Sequence, residues 1–128
     1  MRIGVLDDVP MMADLLQAIL ELGSYPVCIY HSAFPFLDML CRAHASGDMP
    51  YDLLLLGSHP STQFCWKQLL QHIRMTCAAL PVVLLSTEAS YEIHLHPDLY
   101  PHVTGVKEPF SVQELYDLIT TLEPALRR

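Results

Sequence analysis

Positive charge is scarce in this chain. Its 128 residues include 7 Lys plus Arg against 14 Asp plus Glu, a formal net charge of −7 with His neutral. Lys67 and Lys107 are the only lysines, and no basic stripe forms around them. Phosphate contacts supply most sequence-independent nucleic-acid affinity, so DNA or RNA binding by this domain alone is not expected. Long apolar runs are lacking as well: none approaches the roughly 20 residues that a membrane-spanning helix needs. The run Ile3–Leu6 is closed at once by Asp7-Asp8 and is too short for a signal peptide, so a cytoplasmic protein is expected. Clustered cysteine is missing too. Cys28, Cys41, Cys65 and Cys77 are spread out with no C-x-x-C pair, which argues against a zinc knuckle or a dithiol redox pair. Each lies in an apolar segment and reads as a reduced thiol serving as a small apolar side chain.

Apolar residues, by contrast, are plentiful: 52% of the chain is hydrophobic and 16% charged, which excludes disorder. A chain of this length buries about two thirds of the surface it exposes when unfolded, enough for one core. Residues 1–128 are expected to form a single domain. Ile3–Leu6 reads as a buried strand, and Pro10 suits the first turn of a helix carrying Met12, Leu15, Leu16, Ile19 and Leu22, stopped at Gly23. Val27–Tyr30 is a second strand, and Ser32 is placed to cap a helix with Phe36, Leu37, Leu40 and Cys41. After the loop Ser46-Gly47-Asp48, Asp52–Gly57 reads as a strand whose unbroken apolar run implies cover on both faces.

A polar loop from Ser58 to Thr62 leads to a helix with Phe64, Leu69, Leu70 and Ile73 on one face. Pro81–Leu85 is a fourth strand, followed by a short helical stretch near Glu88–Ile93. Pro97 and Pro101 make regular helix improbable from His94 to His102. Val103–Val106 is the fifth strand, and Ser111 with Glu114 forms a capping box for a last helix carrying Val112, Leu115, Leu118, Ile119 and Leu122. Strand and helix alternate throughout, which predicts a doubly wound α/β fold: an open five-stranded parallel sheet with helices on both faces.

Ligands of such sheets bind beyond the carboxyl ends of the strands. Those ends supply Asp7 and Asp8, then Gly57 and Ser58, then Ser86 and Thr87, then Lys107, Glu108 and Pro109. Adjacent carboxylates are hard oxygen donors suited to Mg²⁺; they are equally at home at a helix entrance, where the dipole favours them. Taken together, Leu6-Asp7-Asp8-Val9-Pro10, Tyr51-Asp52-Leu53-Leu54-Leu55-Leu56-Gly57-Ser58-His59-Pro60, Pro81-Val82-Val83-Leu84-Leu85-Ser86-Thr87 and Lys107-Glu108-Pro109-Phe110 make the chain resemble a response-regulator receiver (CheY-like) domain of two-component systems. The resemblance runs from about Arg2 to the last helix. It implies a flavodoxin-like sheet in the order 2-1-3-4-5, a weak Mg²⁺ site at Asp7 and Asp8, and a role in phosphorelay signal transduction. Its implied partners are proteins: a sensor kinase, an output domain or another receiver, with homodimerisation through the face made by helix 4, strand 5 and helix 5.

Against that resemblance the chain departs at the reacting positions. Where the family places its phosphoacceptor Asp stands Gly57, or Leu56 if the register follows Pro60, and neither accepts a phosphoryl group. Asp52 is at the other end of the strand, about 16 Å away at the usual rise. Glu108 occupies the position of the family's Lys beside Pro109, and Lys107, one residue away, faces the other side. The family's aromatic residue on the fifth strand is replaced by Gly105 or, in the other register, Thr104. The degenerate pocket is therefore Asp7, Asp8, Gly57, Ser86, Lys107 and Glu108, and the resemblance is to a pseudo-receiver that acts by phosphorylation-independent protein contact, is not an enzyme and requires no cofactor.

An interface is expected at Tyr91, Ile93, Leu99 and Tyr100, which stand among His94, His96, His102 and two prolines. The histidines themselves read as surface loop residues ahead of a metal site or pH sensor, and Trp66 as packing. Two alternatives have different chemistry. A metal-dependent enzyme would use Asp7, Asp8 and Glu108, with no clear nucleophile or general base beyond Ser58, Ser86 and His59. A receiver phosphorylated at a non-standard residue would use Ser58 or Thr87, whose hydroxyls need an activating base. A flavin binder is disfavoured because the loop Gly57–Thr62 lacks a glycine-rich phosphate cradle.

Overall fold

A computed structural model of the chain describes residues 2–57, 66–77 and 79–126. Strands β1 (Ile3–Leu6), β2 (Val27–Tyr30), β3 (Leu53–Gly57), β4 (Val82–Leu85) and β5 (Val103–Val106) alternate with helices α1 (Pro10–Leu22), α2 (Ala33–Ser46), α3 (Trp66–Thr76), α4 (Thr87–Leu95) and α5 (Val112–Leu126). The strands form one parallel sheet in the order β2-β1-β3-β4-β5. This is the doubly wound, flavodoxin-like order that the resemblance implies.

The core is split by the sheet because side chains alternate between its faces. Leu54 and Leu56 of β3 join Phe36 and Leu40 of α2 and Leu69, Leu70 and Ile73 of α3 on one side. Leu53 and Leu55 join Leu16, Ile19 and Leu20 of α1 and Leu115 and Ile119 of α5 on the other. All of β1, β3 and β4 is buried, whereas the edge strands β2 and β5 are half-covered. At the β2 edge the Tyr30 and Tyr51 hydroxyls meet at 2.8 Å, with the Tyr30 ring edge-on to Phe36 at 5.6 Å. Burial raises both phenols above their ordinary pKa.

Several local details differ from expectation. Ser32 takes the N-cap position of α2, but its side chain makes no capping hydrogen bond. α1 ends at Leu22 with Gly23 at its C-cap, yet the left-handed residue there is Ser24 (φ 64°). Gly47 supplies the left-handed C-cap of α2 at φ 72°, the conformation only glycine adopts without a Cβ penalty. The Ser111 hydroxyl accepts from Glu114 N–H at 3.0 Å and starts α5. Leu15 and Leu22, assigned by spacing to the buried face of α1, are 50% and 83% exposed.

The cysteines also depart from the core role expected of them. Cys28 and Cys41 are exposed, Cys77 is half-buried, and Cys65 lies outside the described residues. Cys28 is on an edge strand with one neighbour, and Cys41 lies one position round from the buried Leu40, on the outer face of α2.

Candidate functional site

The parallel sheet brings the carboxyl ends of β1, β3, β4 and β5 to one side of the molecule. Leu6 is in register with Leu56, Gly57 with Leu85, and Leu85 with Val106. Asp7, Gly57, Ser86 and Lys107-Glu108 thus emerge at the same end of the sheet. Each has a different local fate.

Asp7 is completely buried, and its Oδ1 accepts the Val9 N–H at 2.9 Å. That bond closes the turn from β1 into α1, whose N-cap residue, Val9, has no side-chain acceptor of its own. Pro10 at the first helical position carries no N–H that would need one. Asp8 is half-buried, with its Oδ1 shielded from solvent. Gly57 ends β3, fully buried. Asp52 lies at the far end of β3, where its Oδ2 accepts the Arg2 backbone N–H at 2.8 Å.

Ser86 is 8% exposed and acts as the N-cap of α4, its Oγ accepting the Ala89 N–H at 3.3 Å. Lys107 is exposed just beyond β5, and the Glu108–Pro109 bond that follows is cis. Glu108 is half-buried, with Oε1 shielded, and it borders a groove of about 450 Å³ between α1 and α5 that is lined by Met12, Ile19 and Phe110. Ser58 and His59 lie outside the described residues, as does the side chain of Thr87.

Asp7, Asp8 and Glu108 do not assemble into the three-carboxylate centre considered for a metal-dependent enzyme. Among the described residues no three His, Cys, Asp or Glu side chains gather so as to hold a metal ion. This also bears on His94, His96 and His102, which are exposed and form no such cluster.

No protein-family model matches the sequence, and no curated protein matches it. Solved structures do match. A response regulator receiver domain protein (CheY-like) from Methanospirillum hungatei superposes with a TM-score of 0.77 at 19% identity, over 98% of this chain and 95% of that one. A response regulator receiver protein from Sinorhizobium medicae gives 0.78 at 19% identity, again over 98% and 95%. The fold is the receiver fold. A third receiver domain, from a sensor histidine kinase of Pseudomonas aeruginosa, has a magnesium ion coordinated in its active site cleft; it gives 0.71 at 17% identity over 94% of each chain. Among the described residues no third carboxylate joins Asp7 and Asp8, and Gly57 brings no side chain to these strand ends, so two acids are all that this site offers such an ion.

The expected interface residues divide. Tyr91 (65% exposed) and Leu99 (68%) face solvent, but Ile93 is buried in the core beneath α4 and Tyr100 is half-buried with its ring 5.4 Å from that of Trp66. Tyr91 and Ile93 belong to α4, as the helical stretch expected near Glu88–Ile93 has it; the helix runs on to Leu95, and a short 3₁₀ helix (Pro97–Leu99) follows. Leu95 was missed. It is exposed one helical turn beyond Tyr91, on the same face of α4. α1 carries a second stripe, Met11, Leu15 and Leu22, with Asp14 and Glu21 also exposed and no basic residue in the helix. No helix of the described residues is long and apolar enough to cross a membrane.

Proposed function

We propose that this chain is a pseudo-receiver: a signalling domain of the two-component type that works in the cytoplasm by protein contact, without phosphorylation of an aspartate, without enzymatic activity and without a required cation. The observation that carries the proposal is Gly57. At the carboxyl end of the central strand β3, where the receiver fold exposes its reacting group, there is a buried residue with no side chain. Three features support it. Asp7 is engaged in closing the β1–α1 turn, Ser86 is engaged in capping α4, and Lys107 is exposed with a carboxylate, Glu108, beside it. Mg²⁺ affinity would rest on Asp7 and Asp8 alone and would be weak, since hard divalent cations need several oxygen donors. Exposed Tyr91, Leu95 and Leu99 offer a sensor kinase, an output domain or a second copy an apolar contact.

Thermal unfolding with Mg²⁺ and beryllofluoride, a mimic of the phosphoryl group, tests the proposal. A ligand that binds only the folded state raises its stability by mass action, so an unchanged Tm at millimolar concentrations is the expected result. A rise of several degrees would overturn the proposal.

A further inference from the structure

We propose that α4 is pinned against β5, so that the surface carrying Tyr91 and Leu95 is presented in one conformation whatever occupies the strand ends. The decisive contact is at Gly105. A Cβ built on Gly105 would lie 2.4 Å from Ser90 Cα and 2.8 Å from Ser90 Cβ. A backbone atom cannot swing aside as a side-chain tip can, so any side chain at 105 would require α4 itself to move. Glycine lets the helix settle directly onto the strand.

Two other elements hold the same helix. At its N-terminus, β4 supplies the Ser86 hydroxyl as a cap for Ala89 N–H. On its outer flank, Glu92 Oε1 meets Lys67 Nζ of α3 at 2.7 Å and accepts the Tyr100 hydroxyl at 3.1 Å. Lys67 also lies 5.5 Å over the Trp66 ring. The segment after α4 is tied as well, because Arg74 of α3 donates to Pro101 O at 2.9 Å and His102 O at 3.3 Å. Seated on the strand, capped by Ser86 and paired to α3, α4 is held at three points, and a switching helix needs a second packing arrangement. The inference deepens the contact-signalling proposal, on which its biological sense rests, while the geometry stands independently.

Hydrogen exchange of the full chain, read on residues 87–95, tests it. In the native protein α4 should be protected, and Mg²⁺ with beryllofluoride should leave its exchange unchanged. Gly105→Ala should speed exchange in α4 by about tenfold or more, the scale of overpacking a closed contact, while α1 exchanges as before. Glu92→Gln, a surface change that leaves the fold intact, should speed it by about two- to fivefold through loss of an exposed ion pair. Unprotected α4 in the native chain, or a folded Gly105→Ala with native exchange, overturns the inference. If Gly105→Ala does not fold, an unchanged Glu92→Gln overturns it instead. Phosphoryl uptake with α4 still protected would sink the contact-signalling proposal and leave the pinned helix standing.

Discussion

The carboxyl ends of β1, β3 and β5 lie at the same end of one sheet, but they are built to different purposes. At β1, Asp7 is wholly buried and bonded to the backbone that it turns. At β3 there is Gly57, and at β5 an exposed Lys107 beside a half-buried Glu108. An acid that closes a turn has a structural reason to be there whether or not a cation or a phosphoryl group ever arrives. The acceptor position and the cation beside it have no such second use. On the proposed reading the strand ends lack the acceptor and keep the acids, and acids alone do not establish activity.

Substitutions on the two sides should therefore behave differently. The largest effect is expected at Asp7→Ala, which leaves a part-buried Val9 N–H without its acceptor and should cost about 1–3 kcal/mol in urea unfolding. Asp7→Asn keeps an acceptor oxygen and should cost less; equal losses would mean that the charge, not the turn, is what matters at β1. Gly57→Asp comes next. It buries a carboxylate near Asp7 and Asp8, so it should lower stability by about 1–3 kcal/mol without added cation and recover part of the loss with Mg²⁺. An identical Mg²⁺ titration before and after the change would show that these strand ends do not share a pocket.

Lys107→Ala should alter stability by no more than about 0.5 kcal/mol, as expected of an exposed side chain with no structural role. A larger loss would give β5 a function that its exposure denies. The smallest effect concerns pH. The hydrogen bond from Lys67 holds the Glu92 carboxyl below its ordinary value of 4.5, against a smaller opposing contribution from desolvation. A depressed carboxyl adds stability that is present above its unfolded pKa and is lost as pH falls below about 4.5 through the folded value. Glu92→Gln should flatten that acid limb of the stability curve slightly, and a limb of unchanged slope would show that the ion pair contributes nothing in solution.

The sheet was legible because its strands are short, apolar and separated by helical spacing, and Leu53–Leu56 in particular announces burial on both faces. The start of α5 was legible because Ser111 and Glu114 obey capping chemistry that depends only on local sequence. α1 was harder. Met12, Leu15, Leu16, Ile19 and Leu22 blend two faces, and periodicity cannot say that Leu15 and Leu22 turn to solvent while Leu16 and Ile19 turn inward. Leu95 was missed for a related reason: the prolines at 97 and 101 made the segment from His94 look irregular, but the helix runs to Leu95 before they act. That the carboxyl end of β3 carries no side chain at 57 could be read from the residue alone. The seat of α4 on Gly105 could not, since a close approach between a helix and a strand leaves no pattern in one dimension.

The most direct measurement is the intact mass of the chain after incubation with Mg²⁺ and acetyl phosphate, beside a receiver domain that is known to take up phosphate. A pseudo-receiver should gain no mass while the control gains one phosphoryl group per chain. A stoichiometric gain would contradict the proposal, and it would assign the acceptor to a residue other than Gly57.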